Sequence, residues 1–442
     1  MNSLTIQPGH PLRGRIRAPG DKSISHRALL FGALAEGSGP INGFLPSGDC
    51  LATLGCLQAL GIRVEVHDAT TLTVYGRGLH GLQAPKAPLN CVRSGTTMRL
   101  LAGILAGQAF ESTLTGDPQL LRRPMRRIVE PLRQMGAVIE ATDGHGPLTV
   151  RGRRLHGWEH ALAVASAQVK SALLLAGLYA DGPTTICQPG PARDHTERML
   201  AAMGAGIVTA GLDVTLTPGA SLAPLTLTVP GDISSAAFPL IAATLVPGSA
   251  LTVEGVGINP TRTGLLDVLR AMGAEIAAGN VREEGGEPVG DLTVRASGLV
   301  GVEVRGDTVV RMIDEFPVFA VAATQAWGTT VVRDAAELRV KETDRVAAVV
   351  AELQALGAAI EPLPDGFIVA GPTPLRGGIV DSHGDHRLAM ALAVAGLIAE
   401  GEVVIHNAAC IGDSFPGFVA LMQDLGAEIS ATGVGWFINT IQ

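Results

Sequence analysis

An α/β chain (α+β in its segregation of helices and strands) built from six repeats of one helix-and-strand unit is what this 442-residue sequence predicts. A short motif recurs six times at long spacing, a strand-like run follows each copy, and a polar cluster opens a second, apolar helix in each unit. The motif is an apolar residue, two fillers, Met or Leu, then Gly, usually Ala, and an aliphatic two positions further on. Its copies span 57–64, 132–139, 200–207, 269–276, 353–360 and 422–429, and their glycines are 75, 68, 69, 84 and 69 residues apart. Apolar residues three apart share a helix face, and a following Gly suits the left-handed position that ends the helix. Strands are expected at 71–75, 148–151, 213–217, 292–295, 367–370 and 436–439. Six units divide most simply into two domains of three.

The second helix of each unit begins with polar residues. These openings are Asp21-Lys22-Ser23-Ile24-Ser25-His26-Arg27, Arg93-Ser94-Gly95-Thr96-Thr97-Met98-Arg99 and Ser166-Ala167-Gln168-Val169-Lys170-Ser171. Asp232-Ile233-Ser234-Ser235, Asp314-Glu315-Phe316-Pro317 and Gly384-Asp385-His386-Arg387 complete the set. The runs behind them, such as 388–398, are apolar on every side and belong inside a domain. Capping accounts for the Ser and Asp residues, Asp232 and Ser234 among them, because their oxygens accept free N–H groups. It does not account for Lys22, Arg27, Arg99 and Arg387. A cation at a helix N-terminus costs about 0.3–1 kcal/mol, so a bound anion is the better explanation. Arg126, Arg127 and Arg198 read as solvated helix faces, whereas Arg123, just before Pro124, can turn its fork towards a pocket.

The net charge of −8 argues against a nucleic-acid binder. Five cysteines, Cys50, Cys56, Cys91, Cys187 and Cys410, lack paired metal-ligand spacing and fit a reducing compartment. The N-terminal stretch has no apolar run of signal-peptide length, so a cytoplasmic location is expected. Apolar runs such as 172–180 are too short to span a membrane.

Taken together, the segments 19–27, 122–125, 166–171, 193–197, 259–264, 338–345 and 384–387 resemble the 5-enolpyruvylshikimate-3-phosphate (EPSP) synthase family along essentially the whole chain. The Ser-Ala-Gln-Val-Lys-Ser and Arg-Asp-His-Thr-Glu runs are similar to its class II bacterial branch. The resemblance implies a two-domain inside-out α/β barrel of six βαβαββ repeats, three per domain, with a ligand cleft between the domains. Residues 20–229 would form one domain, and 1–19 with 230–442 the other. The twin sequences Pro19-Gly20-Asp21 and Pro230-Gly231-Asp232 would be the hinge strands.

It further implies small-molecule substrates, shikimate 3-phosphate and phosphoenolpyruvate, and no metal or organic cofactor. A monomer with no nucleic-acid or membrane partner is expected. Carried over by motif, Lys22, Ser23, Arg27, Ser166, Ala167, Gln168, Arg193, Asp314 and Lys341 would bind shikimate 3-phosphate. Lys22, Gly95, Arg123, Gln168, Arg345 and Arg387 would hold phosphoenolpyruvate. Asp314 would be the base for the 5-hydroxyl, Glu342 the proton carrier, and Lys22 a third catalytic group. Read singly, Asp314 is an N-cap and Glu342 a surface helical residue. Two positions depart from the family pattern: Arg93 stands where Asn is common, and Asp413 where Lys is frequent.

Two rival readings are weighed. A sister enolpyruvyl transferase acting on UDP-N-acetylglucosamine commonly has a loop Cys, absent from Gly116-Asp117-Pro118-Gln119-Leu120-Leu121. A ring-forming nucleic-acid clamp would spread its cations along helix flanks rather than gather them at helix starts.

Overall fold

The six glycines of the repeated motif close helices by one shared geometry in the computed structural model, which describes residues 2–433. Each has a positive φ, between +84° and +103°. Gly61 N–H donates to Gln58 O at 3.0 Å, and Ile62 N–H to Leu57 O at 3.0 Å. The same two bonds recur around Gly136, Gly204, Gly273, Gly357 and Gly426 at 2.8–3.0 Å. This paired closure satisfies two otherwise orphaned carbonyls, and it needs a left-handed residue at the Gly position. The motif's first apolar residue supplies one of those carbonyls each time.

Strands follow the helix stops as expected. Leu72–Arg77, His145–Arg151, Asp213–Thr217, Glu287–Arg295 and Gly366–Gly371 cover five of the six expected runs. The sixth, 436–439, lies outside the described residues. The strands form six four-stranded sheets. In one, Leu89–Asn90 runs parallel to Glu111–Thr115, which pairs antiparallel with His145–Arg151, and that strand pairs antiparallel with Val138–Thr142. Three sheets take a strand from a distant part of the chain. Leu227–Thr228 joins Glu36–Asn42, and Arg13–Arg17 joins Ala250–Gly257. Ser3–Gln7 fits between Glu400–His406 and Glu428–Thr432.

The chain divides into two compact units. The first is Gly20–Val229 with the turn Glu283–Glu287; the second contains, of the described residues, 2–19, Pro230–Arg282 and 288–433. Each has its own apolar core. In the first unit the core holds the helices α1 (Lys22–Leu34), α2 (Gly95–Ala106) and α3 (Ala167–Gly177). In the second it holds α4 (Ile233–Leu245), α5 (Phe316–Thr324) and α6 (His386–Leu397). All nine residues of α5 and all twelve of α6 are buried, so these helices have no polar side to present. Among the described residues no helix is long and apolar enough to cross a membrane.

Helices α2 and α3 are in close contact at Gly103, where a methyl group would fall 2.1 Å from the Ala172 carbonyl oxygen. Backbone cannot yield as a flexible side chain can. Gly103→Ala should therefore destabilise the fold by about 1–3 kcal/mol. Urea unfolding measures this, and an unchanged midpoint would mean that the two helices part without strain.

Candidate active site

The polar openings of the buried helices are caps, as their composition suggests. Asp21 accepts from Ile24 N–H at 2.9 Å, Ser94 from Thr97 N–H at 3.2 Å, and Ser166 from Val169 N–H at 3.5 Å. Asp232 and Asp385 do the same for α4 and α6, at 2.9 Å each. Ser234 is not itself a cap: its hydroxyl donates to Glu315. Helix α5 starts after Glu315 with no side-chain cap, so Asp314 is not an N-cap either and lies in the preceding turn.

In the first unit the starts of α1, α2 and α3 are laced together by side chains. Arg27 is 3% exposed. Its Nη2 donates to Ser171 Oγ at 2.8 Å, its Nε to Thr196 Oγ1 at 2.8 Å and its Nη1 to Ser23 O at 2.9 Å. Gln168 accepts from Arg99 and donates to Thr96 Oγ1 at 3.0 Å, which ties α3 to α2. A methyl group on Gly95 would fall 2.9 Å from Arg123 Nη1 and 3.3 Å from Arg99 Nη1, so glycine leaves the space that two guanidiniums use. Lys22 pairs with Asp49 at 3.2 Å. Arg93 donates to Gln119 Oε1 at 2.8 Å, which occupies it locally.

Burial pulls the Arg27 guanidinium down to about 10. Glu197 and Asp21 oppose the shift, while nearby Arg193 adds to it. Burial, with Lys22 and Arg27 beside it, also holds the His26 imidazole well below its usual range. The segment 193–198 is bound along its length. Lys170 pairs with Glu197 at 2.5 Å, His195 Nδ1 lies 2.7 Å from Glu287 Oε1, and Arg198 Nε donates to Asp194 at 2.9 Å. Arg198 also donates to Gly286 O at 3.0 Å, so it is no freely solvated face residue. Among the described residues, Asp194, His195 and Glu287 form the one trio with metal-ligand atoms within 4.8 Å of each other. Two of those residues, His195 and Glu287, already bond to one another.

In the second unit Asp314 stands among three cations. Its carboxylate is 3.9 Å from Lys341 Nζ, 3.5 Å from Arg345 Nη1 and 3.7 Å from Arg387 Nη2. Arg345 is 2% exposed. It donates Nε to Asp385 Oδ2 at 2.8 Å, Nη2 to Asp385 Oδ1 at 3.2 Å, and Nη2 to Glu342 Oε2 at 2.7 Å. Burial lowers Arg345's proton affinity, but Asp385, Glu342 and Asp314 outweigh it, and the guanidinium ends more firmly charged than usual. Glu342 precedes helix Arg345–Ala355 rather than lying on it.

Every expected site residue of the second unit thus meets in one cluster, joined by Asp314, Arg345 and their partners. In the first unit Ser23 and Arg27 meet, Gly95 and Arg123 meet, and Gln168 joins α2 to α3. Ser166 and Ala167 stand at the α3 start, and Arg193 is near enough to Arg27 to act on its charge. Sequence reasoning missed Asp49, Ser171, Thr196 and Asp385. Asp385 was legible as a cap, but nothing local says that a cap also grips an arginine forty positions away.

A family model described as EPSP synthase (3-phosphoshikimate 1-carboxyvinyltransferase) matches residues 6–422. The chain belongs to the EPSP synthase family. The 3-phosphoshikimate 1-carboxyvinyltransferase of Herpetosiphon aurantiacus is 55% identical over 419 residues, which are 94% of this chain and 97% of that protein. That of Brevibacillus brevis is 53% identical over 429 residues, 97% of this chain and 100% of its own. A solved EPSP synthase structure from Acinetobacter baumannii matches with a TM-score of 0.88 and 43% identity, over 98% of this chain and 100% of that one. The expected fold class stands, and membership of the EPSP synthases decides against both rival readings.

Arg345 and Asp385 give a pH prediction. Burial alone would raise the Asp385 carboxyl, yet the Arg345 charge outweighs it, and the net shift is downward. A carboxyl lowered on folding stabilises the fold above its unfolded value, near about 4. That contribution is lost as pH falls through the lower folded value. Asp385→Asn should lose about 3 kcal/mol or more at pH 7, because it weakens the compensation of a buried cation. The gap to the unsubstituted protein should narrow as the medium is acidified towards pH 3, followed by urea unfolding; a gap that widens would contradict the pairing.

Proposed function

We propose that the protein transfers the enolpyruvyl group of phosphoenolpyruvate to the 5-hydroxyl of shikimate 3-phosphate and releases phosphate. The observation that carries this is the Asp314 carboxylate set within 4 Å of Lys341, Arg345 and Arg387. A base beside cations can take a proton while its neighbours hold anionic reactants. Asp314 accepts the 5-hydroxyl proton as that oxygen bonds to C2 of phosphoenolpyruvate. Glu342 delivers a proton to C3, giving a tetrahedral intermediate. The C2–O bond to phosphate then breaks, the phosphate leaves with the proton taken up by Asp314, C3 returns its proton to Glu342, and the enol ether forms. Lys22 assists this chemistry by neutralising charge on the reacting centre.

Lys22, Gly95, Arg123, Gln168, Arg345 and Arg387 hold phosphoenolpyruvate, with Gly95 contributing space beside Arg123. Lys22, Ser23, Arg27, Ser166, the Ala167 backbone, Gln168, Arg193, Asp314 and Lys341 hold shikimate 3-phosphate. The α1, α2 and α3 starts supply N–H groups as well as cations, and both favour phosphate. We read residues 20–229 as one folding domain and 1–19 with 230–442 as the other. We also read the protein as a cytoplasmic monomer without nucleic-acid or membrane partners. Its net charge of −8 and its buried thiols Cys50, Cys56, Cys91 and Cys410 support that reading.

Purified protein should release phosphate only when both substrates are supplied; silence with the pair at neutral pH would overturn the assignment. Asp314→Asn and Glu342→Gln should each lower kcat by at least ~100-fold, the scale of a positioned proton transfer. Near-normal turnover in either removes that residue from its role. Arg123→Ala should raise the KM for phosphoenolpyruvate more than that for shikimate 3-phosphate, and equal increases would contradict the division of ligands.

A further inference from the structure

The run Asn259-Pro260-Thr261-Arg262-Thr263-Gly264 has no part in the chemistry above, yet it grips the turn that carries Asp314 from two sides. On one side Arg311 Nε donates to Pro260 O at 2.7 Å, and its Nη2 reaches Thr263 Oγ1 at 3.3 Å and Asp267 Oδ2 at 2.6 Å. Gly264 permits that approach: a methyl group there would fall 2.9 Å from Arg311 Cβ and 3.0 Å from Thr308 O. On the other side Arg262 Nη2 donates to Asp232 Oδ1 at 3.1 Å and to Ser234 Oγ at 2.8 Å. Ser234 Oγ in turn donates to Glu315, the residue next to Asp314. Asn259 shapes the loop, its side chain accepting from Thr261 N–H at 2.9 Å and its carbonyl from Arg262 N–H at 2.8 Å.

Arg262, Asp232, Ser234 and Glu315 are 2%, 4%, 1% and 1% exposed. Burying an ionic network of this kind is poor value for stability alone, since an apolar replacement of similar volume is often as stable or more so. A network that fixes one geometry beside a reacting group explains it better. We infer that Arg262, Glu315 and Arg311 are positioning residues that hold Asp314 at the angle and depth its proton transfer needs. The inference rests on Asp314 being the base for the 5-hydroxyl.

The test is steady-state phosphate release by the full chain carrying Arg311→Ala, Asp314→Asn or both. Arg311 is the less disruptive site, because its side chain is 25% exposed and its partner Asp267 is 50% exposed. Arg311→Ala should lower kcat about tenfold, since a base misplaced by a fraction of an ångström loses much of its effect. The loss in kcat should exceed any rise in the KM for shikimate 3-phosphate, which Asp314 also contacts, and the KM for phosphoenolpyruvate should stay within about twofold. Added to Asp314→Asn, the same change should cost nothing further. Arg262→Lys, which keeps the charge but not the planar fork, should give the same kcat loss and the same absence of additivity. Multiplying losses in the double variants, or an unchanged kcat for Arg311→Ala while Asp314→Asn is inactive, would overturn the positioning role. Near-normal turnover by Asp314→Asn would fell the base assignment first, and this inference with it.

Discussion

A guanidinium with almost no access to water, that of Arg345, is the constraint around which the second unit is arranged. Removing such a charge from solvent costs several kcal/mol, so it persists only with carboxylates close by and well oriented. Asp385 meets that need on two oxygens, and it can do so because it also caps α6. One residue therefore fixes both the start of a fully buried helix and the direction of the arginine. Arg387 follows two positions later and shares Asp314 with Arg345. The α6 cap and the cation cluster are thus tied together through Asp385.

How much of this was legible depends on how local each signal is. The helix stops were readable because a left-handed residue and its two backbone bonds are encoded within six positions, as at Leu57–Ile62. Five expected strands appear for the same reason. The borrowed strands were not readable: nothing in Arg13–Arg17 announces a pairing with Ala250–Gly257, well over two hundred residues away. Side-chain partners follow the same division. Asp232 could be identified as a cap from its neighbours, but Ser234 turned to Glu315 and Arg262, whose positions only the folded unit brings close. Arg198 illustrates the limit for charge runs, since a solvated face and a residue tied to Asp194 and Gly286 have the same local pattern.

Two of the buried arginines, one in each unit, show how one residue type meets opposite surroundings. Arg345 is ringed by carboxylates and is held charged by them. Arg27 donates to the hydroxyls of Ser171 and Thr196 and to a backbone carbonyl, all neutral. Burial lowers its proton affinity and Arg193 adds to the shift, while Glu197, Asp21 and Glu287 oppose it. The α1 start sets its own partial positive charge beside Arg27. A phosphate or carboxylate placed there would be favoured by both charges. In the second unit the Asp314 carboxylate is already set among Lys341, Arg345 and Arg387. The partners each arginine was given, hydroxyls in one unit and carboxylates in the other, thus decide whether burial or pairing sets how firmly it holds its charge.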